Sequence, residues 1–175
     1  MIDERDEIPV EELDTRIKPL SYTLVKTGGY HPFRNQTLNI GDERYALPVW
    51  PYIRKLNGYH QKLNQNGKIN GSVSLKQPYV NWTLYSNETD DDGRLKRVKV
   101  YAHVIIAKAW CNPNGYLHVS DKGKYVVNHK NELPSDYRID NLEFLTIKQN
   151  SIGYPKRIKK SRQFIYDQYK KKGWA

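Results

Sequence analysis

The sequence predicts an α+β protein: a region of small antiparallel sheet, then a strand–loop–strand–helix unit, then a basic C-terminal helix. Three observations carry that expectation. Between Tyr59 and Tyr101, short segments alternate apolar and polar residues around Gly-containing turns, the pattern of half-buried antiparallel strands. Between Tyr125 and Asn150, two short apolar runs flank an irregular loop and lead into Thr146 and Gln149, a Thr-x-x-Gln capping box. Beyond Gly153, Ile158, Ile165 and Tyr169 recur at helical spacing among Lys and Arg.

In chain order, residues 1–14 set Asp3, Glu4, Asp6, Glu7, Glu11, Glu12 and Asp14 against Arg5 alone. Such a block is expected to be a solvated, poorly ordered acidic arm. Residues 15–97 make up an N-terminal region, a candidate docking module. In it Thr27-Gly28-Gly29 and Asn39-Ile40-Gly41-Asp42 mark turns, and the run Leu47 to Tyr52 is broken by Pro48 and Pro51, so Tyr22 to Gly58 has no assignable fold. Asn66-Gly67 suits the positive φ angles of a hairpin turn between Tyr59–Leu63 and Ile69–Val73. Tyr79–Tyr85 alternates at period two and is expected to pair with Arg97–Tyr101 across the acidic, exposed loop Asn87–Gly93.

The unit 98–155 follows. His103–Trp110 is so apolar that a helix there must be packed in the core. His103, at its edge, is read as a structural hydrogen-bonding residue. Tyr125-Val126-Val127 is a short strand that carries Asn128 and His129 to its end. Leu142–Leu145 is a second strand, and a helix starting at Thr146 places Asn150 in its first turn, its side chain able to point back toward the hairpin. Gly153 and Pro155 stop that helix. The tail 156–175 is strongly basic, with Asp167 as its single acid.

The chain has 175 residues and a net charge of +10, with 38% hydrophobic residues. The sequence pI is near 9.5. A polyanion is therefore the expected partner, and nucleic acid is the commonest polyanion. The acidic N-terminal block would then either be solvated or shield a basic groove. Fourteen Tyr and four Trp can stack on bases, although most are expected to serve the sheet. Cys111 is the single cysteine, which excludes an internal disulfide framework and a paired-cysteine zinc site. No apolar stretch approaches a membrane span, and the acidic start is unlike a signal peptide. A reducing cytoplasm is the expected compartment.

Asn128-His129, then Asn141-Leu142-Glu143-Phe144-Leu145-Thr146, then Asn150 resemble the motif of phage-type HNH endonucleases. His103–Trp110 followed by Asn112-Pro113-Asn114 extends the resemblance, which covers residues 98 to 152. The turn before Ile69 loosely resembles the small sheet module that precedes this motif in phage enzymes and helps dock DNA. The resemblance implies a ββα-metal (HNH) fold, homing-endonuclease-like, of phage or mobile-element origin, acting in the host bacterial cytoplasm. It implies metal-dependent hydrolysis of phosphodiester bonds in duplex DNA. His129 would be the general base, since an imidazole is largely neutral at pH 7. Asn128 and Asn150 would be metal ligands, the amide oxygen being a suitable hard donor for Mg²⁺, with Mn²⁺ as the alternative. Asn141 would hold the loop and help orient the histidine.

Two departures from the family stand out. Asn128 replaces an aspartate common in relatives, which leaves a neutral amide pair with Asn150 and a weak site, expected to bind metal tightly only with DNA present. Asn131-Glu132-Leu133-Pro134 replaces the usual Asp-Gly-Asn, with the spacing from His129 to Asn141 kept. Lys130, Arg138, Lys148, Lys156, Arg157, Lys159, Lys160 and Arg162 are the candidate DNA contacts, in a monomer with no small-molecule cofactor. The alternative class is a nucleic-acid-binding or particle-associated protein that keeps the fold without the catalysis, and Asn128 favours it.

Overall fold

The computed structural model describes residues 2–29, 50–56, 67–69, 71–72, 79–117, 124–153, 167 and 171. The chain is mixed α+β, built from small antiparallel sheets and short helices. The first sheet has the order β1 (Glu7–Pro9), β2 (Tyr22–Val25), β3 (Tyr52–Lys55) and β4 (Lys68–Ile69), with a one-turn helix α1 (Val10–Leu13) after β1. Its register pairs Ile8 with Leu24, Leu24 with Ile53, and Ile53 with Ile69. Those apolar residues therefore share one face.

The acidic N-terminus is thus not a poorly ordered arm. Glu4, Asp6, Glu7 and Glu12 are exposed while Ile8 and Val10 are fully buried, and the amide of Asp3 bonds Ala109 O at 3.1 Å. Trp110 Nε1 donates to Arg5 O at 3.0 Å. Counting charges missed these apolar residues, because alternation in a three-residue strand is too short to register. The Tyr22–Gly58 stretch, without an assignable fold in sequence, contributes β2 and β3. Gly29 closes between them: its N–H donates to Trp50 O at 2.6 Å, and a Cβ there would stand 2.7 Å from that same oxygen.

Strands β5 (Asn81–Thr89) and β6 (Leu95–Tyr101) form the expected ribbon, longer than the alternation alone suggests. The acidic turn is exposed, and Asp90 caps it by accepting from the amides of Asp92 and Arg94. Helix α2 (Ala102–Trp110) follows directly and buries Ile105, Ile106, Ala107 and Ala109, as its composition requires. Gly67 has the positive φ expected of the Asn66-Gly67 turn, and the strand after it pairs with β3. Its expected partner Tyr59–Leu63 lies outside the described residues.

The third unit is the hairpin β7 (Tyr125–His129) and β8 (Leu142–Thr146), followed by α3 (Ile147–Gly153). Thr146 Oγ1 accepts from Gln149 N at 3.1 Å and Gln149 Oε1 accepts from Thr146 N at 2.8 Å, which is the predicted capping box. One core joins all three units. Trp50 from the first sheet stands edge-on to Tyr137 of the β7–β8 loop at 4.9 Å, and Trp82 of the ribbon approaches the same ring at 5.9 Å. Among the described residues, no helix is long and apolar enough to cross a membrane. Asp167 and Lys171 are helical and exposed, and the rest of the basic tail lies outside the described residues.

Candidate functional site

The loop between β7 and β8 is held by a closed polar network. Asn141, 5% exposed, ends a 3₁₀ turn (Ile139–Asn141). Its Nδ2 donates to Asn131 Oδ1 at 3.0 Å and to Asp136 O at 2.8 Å, and its Oδ1 accepts from Asn131 N at 3.1 Å. Its own carbonyl accepts from Lys130 N at 2.8 Å. Both the nitrogen and the oxygen of that amide are thus hydrogen-bonded, a use that fits an Asn side chain. The sequence assigned Asn141 a loop-holding part, and these bonds are of that kind.

The network continues inward. Asn131 Nδ2 donates to Asp136 Oδ2 at 2.7 Å. Asp136 is fully buried and accepts from Arg138 Nε at 2.8 Å and Nη2 at 2.7 Å, a two-pronged ion pair in which neither charge is left alone. Arg138 was expected to be a DNA contact. Its guanidinium is instead committed to Asp136 and lies 5.7 Å from the Trp50 ring, with 19% of its side chain exposed.

His129 terminates β7 and packs inward. It is 7% exposed, and its ring centroid lies 5.1 Å from that of His103 and 5.7 Å from that of Tyr79. Its Nε2 is buried and has no hydrogen-bond partner among the described residues. Burial pushes its pKa down to about 4, with the Asp136 carboxylate pulling the other way. The imidazole is therefore neutral at pH 7, as a general base must be, and at the same time enclosed. His103, read from sequence as structural, meets this ring directly and also lies 5.0 Å from Tyr79 and 5.9 Å from Tyr101.

Alternation along β7 separates the two motif residues. Leu142 pairs with His129 and is buried in the core, whereas Asn128 pairs with Glu143 and the two face the other side. Asn128 Nδ2 donates to Glu143 Oε1 at 2.9 Å. Asn150 is half-buried in α3, which packs against both β7 and β8. The sequence reading brought Asn128, His129 and Asn150 to one point; the hairpin instead gives Asn128 the carboxylate of Glu143 as its partner and gives His129 the ring of His103.

Glu143 was not among the sequence candidates, since within the motif it looked like an ordinary strand residue. Cross-strand register is the signal that finds it. Asn128 and Glu143 therefore place one amide and one carboxylate side by side on the hairpin. Among the described residues, no group of three His, Cys, Asp or Glu side chains is assembled.

Of the predicted basic contacts, Lys130 and Lys148 are exposed, while Lys156, Arg157, Lys159, Lys160 and Arg162 lie outside the described residues. The ribbon carries a basic row that sequence reasoning missed. With Trp82, Leu84 and Val100 facing the core, the opposite face of β5–β6 presents Thr83, Tyr85, Arg97 and Lys99, ending at Tyr101 beside His103. Arg97 lies 5.3 Å from the Tyr85 ring centroid. The Arg-Val-Lys-Val-Tyr alternation already puts both cations on one face of a strand, and the burial of Val100 and Trp82 shows that this face points outward. No family model matches this chain, and neither a curated protein nor a solved structure matches it.

Proposed function

We propose that this chain is a metal-dependent HNH-class endonuclease that hydrolyses phosphodiester bonds of duplex DNA, with His129 as general base. The observation that carries the reading is the clamped loop. A strand ends in Asn-His, Asn141 closes the loop behind it through three side-chain hydrogen bonds, and a capped helix places Asn150 after the second strand. The motif residues thus sit in a strand–loop–strand–helix unit of the kind that the resemblance implies. A bound Mg²⁺ or Mn²⁺ would stabilise charge on the scissile phosphate. The neutral imidazole of His129 would take a proton from the attacking water, reached when substrate binding opens the Tyr79–His103 side of the ring.

DNA would lie along the ribbon face, where Arg97 and Lys99 meet phosphates and Tyr101 leads to His103. A two-stranded ribbon fits the major groove in width. The basic tail would add phosphate contacts, in a monomer acting in the cytoplasm of a host cell.

The enclosure of His129 favours one second reading, a nucleic-acid-binding or particle-associated protein that keeps this fold without cleavage. Incubating supercoiled plasmid with the protein and Mg²⁺ or Mn²⁺, beside a His129→Ala control, decides between them. Metal-dependent relaxation that the control lacks supports the nuclease. No relaxation, or equal activity in the control, defeats it.

A further inference from the structure

We propose that Leu20 is a wedge that enters the base stack of duplex DNA at one end of the ribbon face and kinks the duplex there. The proposal rests on the duplex-binding part of the function proposed above and is independent of cleavage.

The ribbon gains a third strand at that end. Lys18 N donates to Tyr85 O at 3.1 Å and Asn87 N donates to Arg16 O at 3.0 Å, on the edge of β5 away from β6. Ile17 stands opposite Ser86 and both are buried. Alternation therefore turns Lys18 to the outward face beside Tyr85, in line with Arg97. Arg16 shares that face, but its guanidinium is paired with Asp14 at 2.7 Å. A polyanion lying here meets Lys18, Arg97 and Lys99 in turn.

Leu20 rises from the end of this row. The chain before it is tied to Tyr85 through Lys18, and the chain after it through Tyr22, whose hydroxyl accepts from Tyr85 N at 3.0 Å. Glu11 Oε1 accepts from the amide of Leu20 itself at 3.1 Å. Between these ties Leu20 has φ 59°, a left-handed conformation that a Cβ disfavours, and it is 73% exposed. Leu56, 46% exposed, stands across from the next residue, its N–H donating to Ser21 O at 2.9 Å.

A single exposed leucine is ordinary. This one is held on three anchors in a strained crest, near a second exposed leucine and at the end of a row of cations. A rigid apolar projection on a basic surface is the device by which proteins part base steps and bend DNA. The crest is ordered before binding, so insertion costs little loop entropy. An anionic membrane would also attract cations and leucines, but two leucines at one corner bury too little apolar area to hold a protein on a bilayer. The row behind Leu20 instead suits a run of phosphates.

The test uses the full-length protein in EDTA, so that nothing is cut, with Leu20→Ala and Leu20→Gly. Energy transfer between fluorophores at the two ends of a short duplex reads the bend, and anisotropy reads affinity for matched and centrally mismatched duplexes. Wild-type protein should bend the duplex by about 20 to 90° and bind the mismatched one, whose stack is already loosened, about tenfold more tightly. Both variants should leave the duplex straight and bring that preference within about twofold, at an unchanged slope of log affinity against log salt, because no phosphate contact is lost. Leu20→Gly also relieves the left-handed strain, so it should melt no lower than wild type. Wild-type binding without bending, bending that survives in both variants, a changed salt slope or a lower melting temperature of Leu20→Gly overturns the wedge and leaves DNA as the partner. No DNA binding at all overturns it together with the duplex-binding reading, and Leu20-dependent binding to vesicles of phosphatidylserine and phosphatidylcholine in its place assigns the corner to a membrane surface. Plasmid relaxation with the His129→Ala control is scored separately. A protein that bends DNA through Leu20 but cuts nothing keeps this inference and loses the nuclease; one that cuts and bends alike without Leu20 does the reverse.

Discussion

Asn141 and Asn131 hold each other by a reciprocal pair of hydrogen bonds, the side-chain amide of one donating at 3.0 Å and the backbone amide of the other returning at 3.1 Å. The loop that connects the two strands has its shape from that exchange. Replacing Asn141 by Leu would leave Asn131 N–H and the Asp136 carbonyl buried without partners. An unmatched buried group costs about 1 to 3 kcal/mol, so chemical denaturation of Asn141→Leu should show a loss of about 3 kcal/mol. A change under about 0.5 kcal/mol would mean that the loop is held elsewhere.

Glu132 sits in the left-handed region at φ 60°, directly where the chain turns after His129, and its N–H donates to His129 O at 2.9 Å. A left-handed residue with a Cβ costs about 1 to 2 kcal/mol, partly offset by the chain entropy that glycine would lose on folding. Glu132→Gly should therefore stabilise the protein by about 0.5 to 1 kcal/mol, read from the denaturation midpoint at unchanged slope.

His129 makes stability depend on pH. Its folded pKa of about 4 is below the ordinary histidine value of 6.5, so between those values the unfolded chain binds more protons. Stability is then complete above pH 6.5, falls as pH drops, and levels off below about pH 4. The loss over that window is about 3 kcal/mol. Urea melts of the metal-free protein at pH 7 and pH 4.5 should differ in this direction, and a His129→Phe variant should lose most of the difference. Equal pH sensitivity in the variant would assign it to other groups.

Arg97 and Lys99 share the outward face of the ribbon. If both meet phosphates, the double variant Arg97→Ala/Lys99→Ala should flatten the plot of log affinity against log salt by about 1.8, from about 0.9 per lost contact. Fluorescence anisotropy with labelled duplex DNA at several salt concentrations measures this. An unchanged slope would remove the ribbon from the interface.

Much of the hairpin was legible in the sequence. The two strands, the Thr146–Gln149 box and the clamping part of Asn141 follow from local rules, because each depends on residues close along the chain. Helix α2 was equally plain, since a run that apolar can only be core. What escaped depends on pairing. Glu143 gains meaning only from standing opposite Asn128, and Arg138, a cation on a loop, looked solvent-facing until Asp136 was found beneath it. The N-terminal strands escaped because Ile8 and Val10 are outnumbered by acids whose solvation says nothing of the backbone between them.

Tyr137 is walled in on one side by Trp50 and on another by Trp82, so the catalytic-looking hairpin leans on two segments that precede it by many residues. A fragment cut to 98–155 would present that phenol's faces, and the Ile105 and Ile106 side of its helix, straight to water. Such a fragment should be a sticky, unstructured peptide when made alone. Whatever chemistry the motif performs is a property of the assembled chain and not a cassette that can be lifted out.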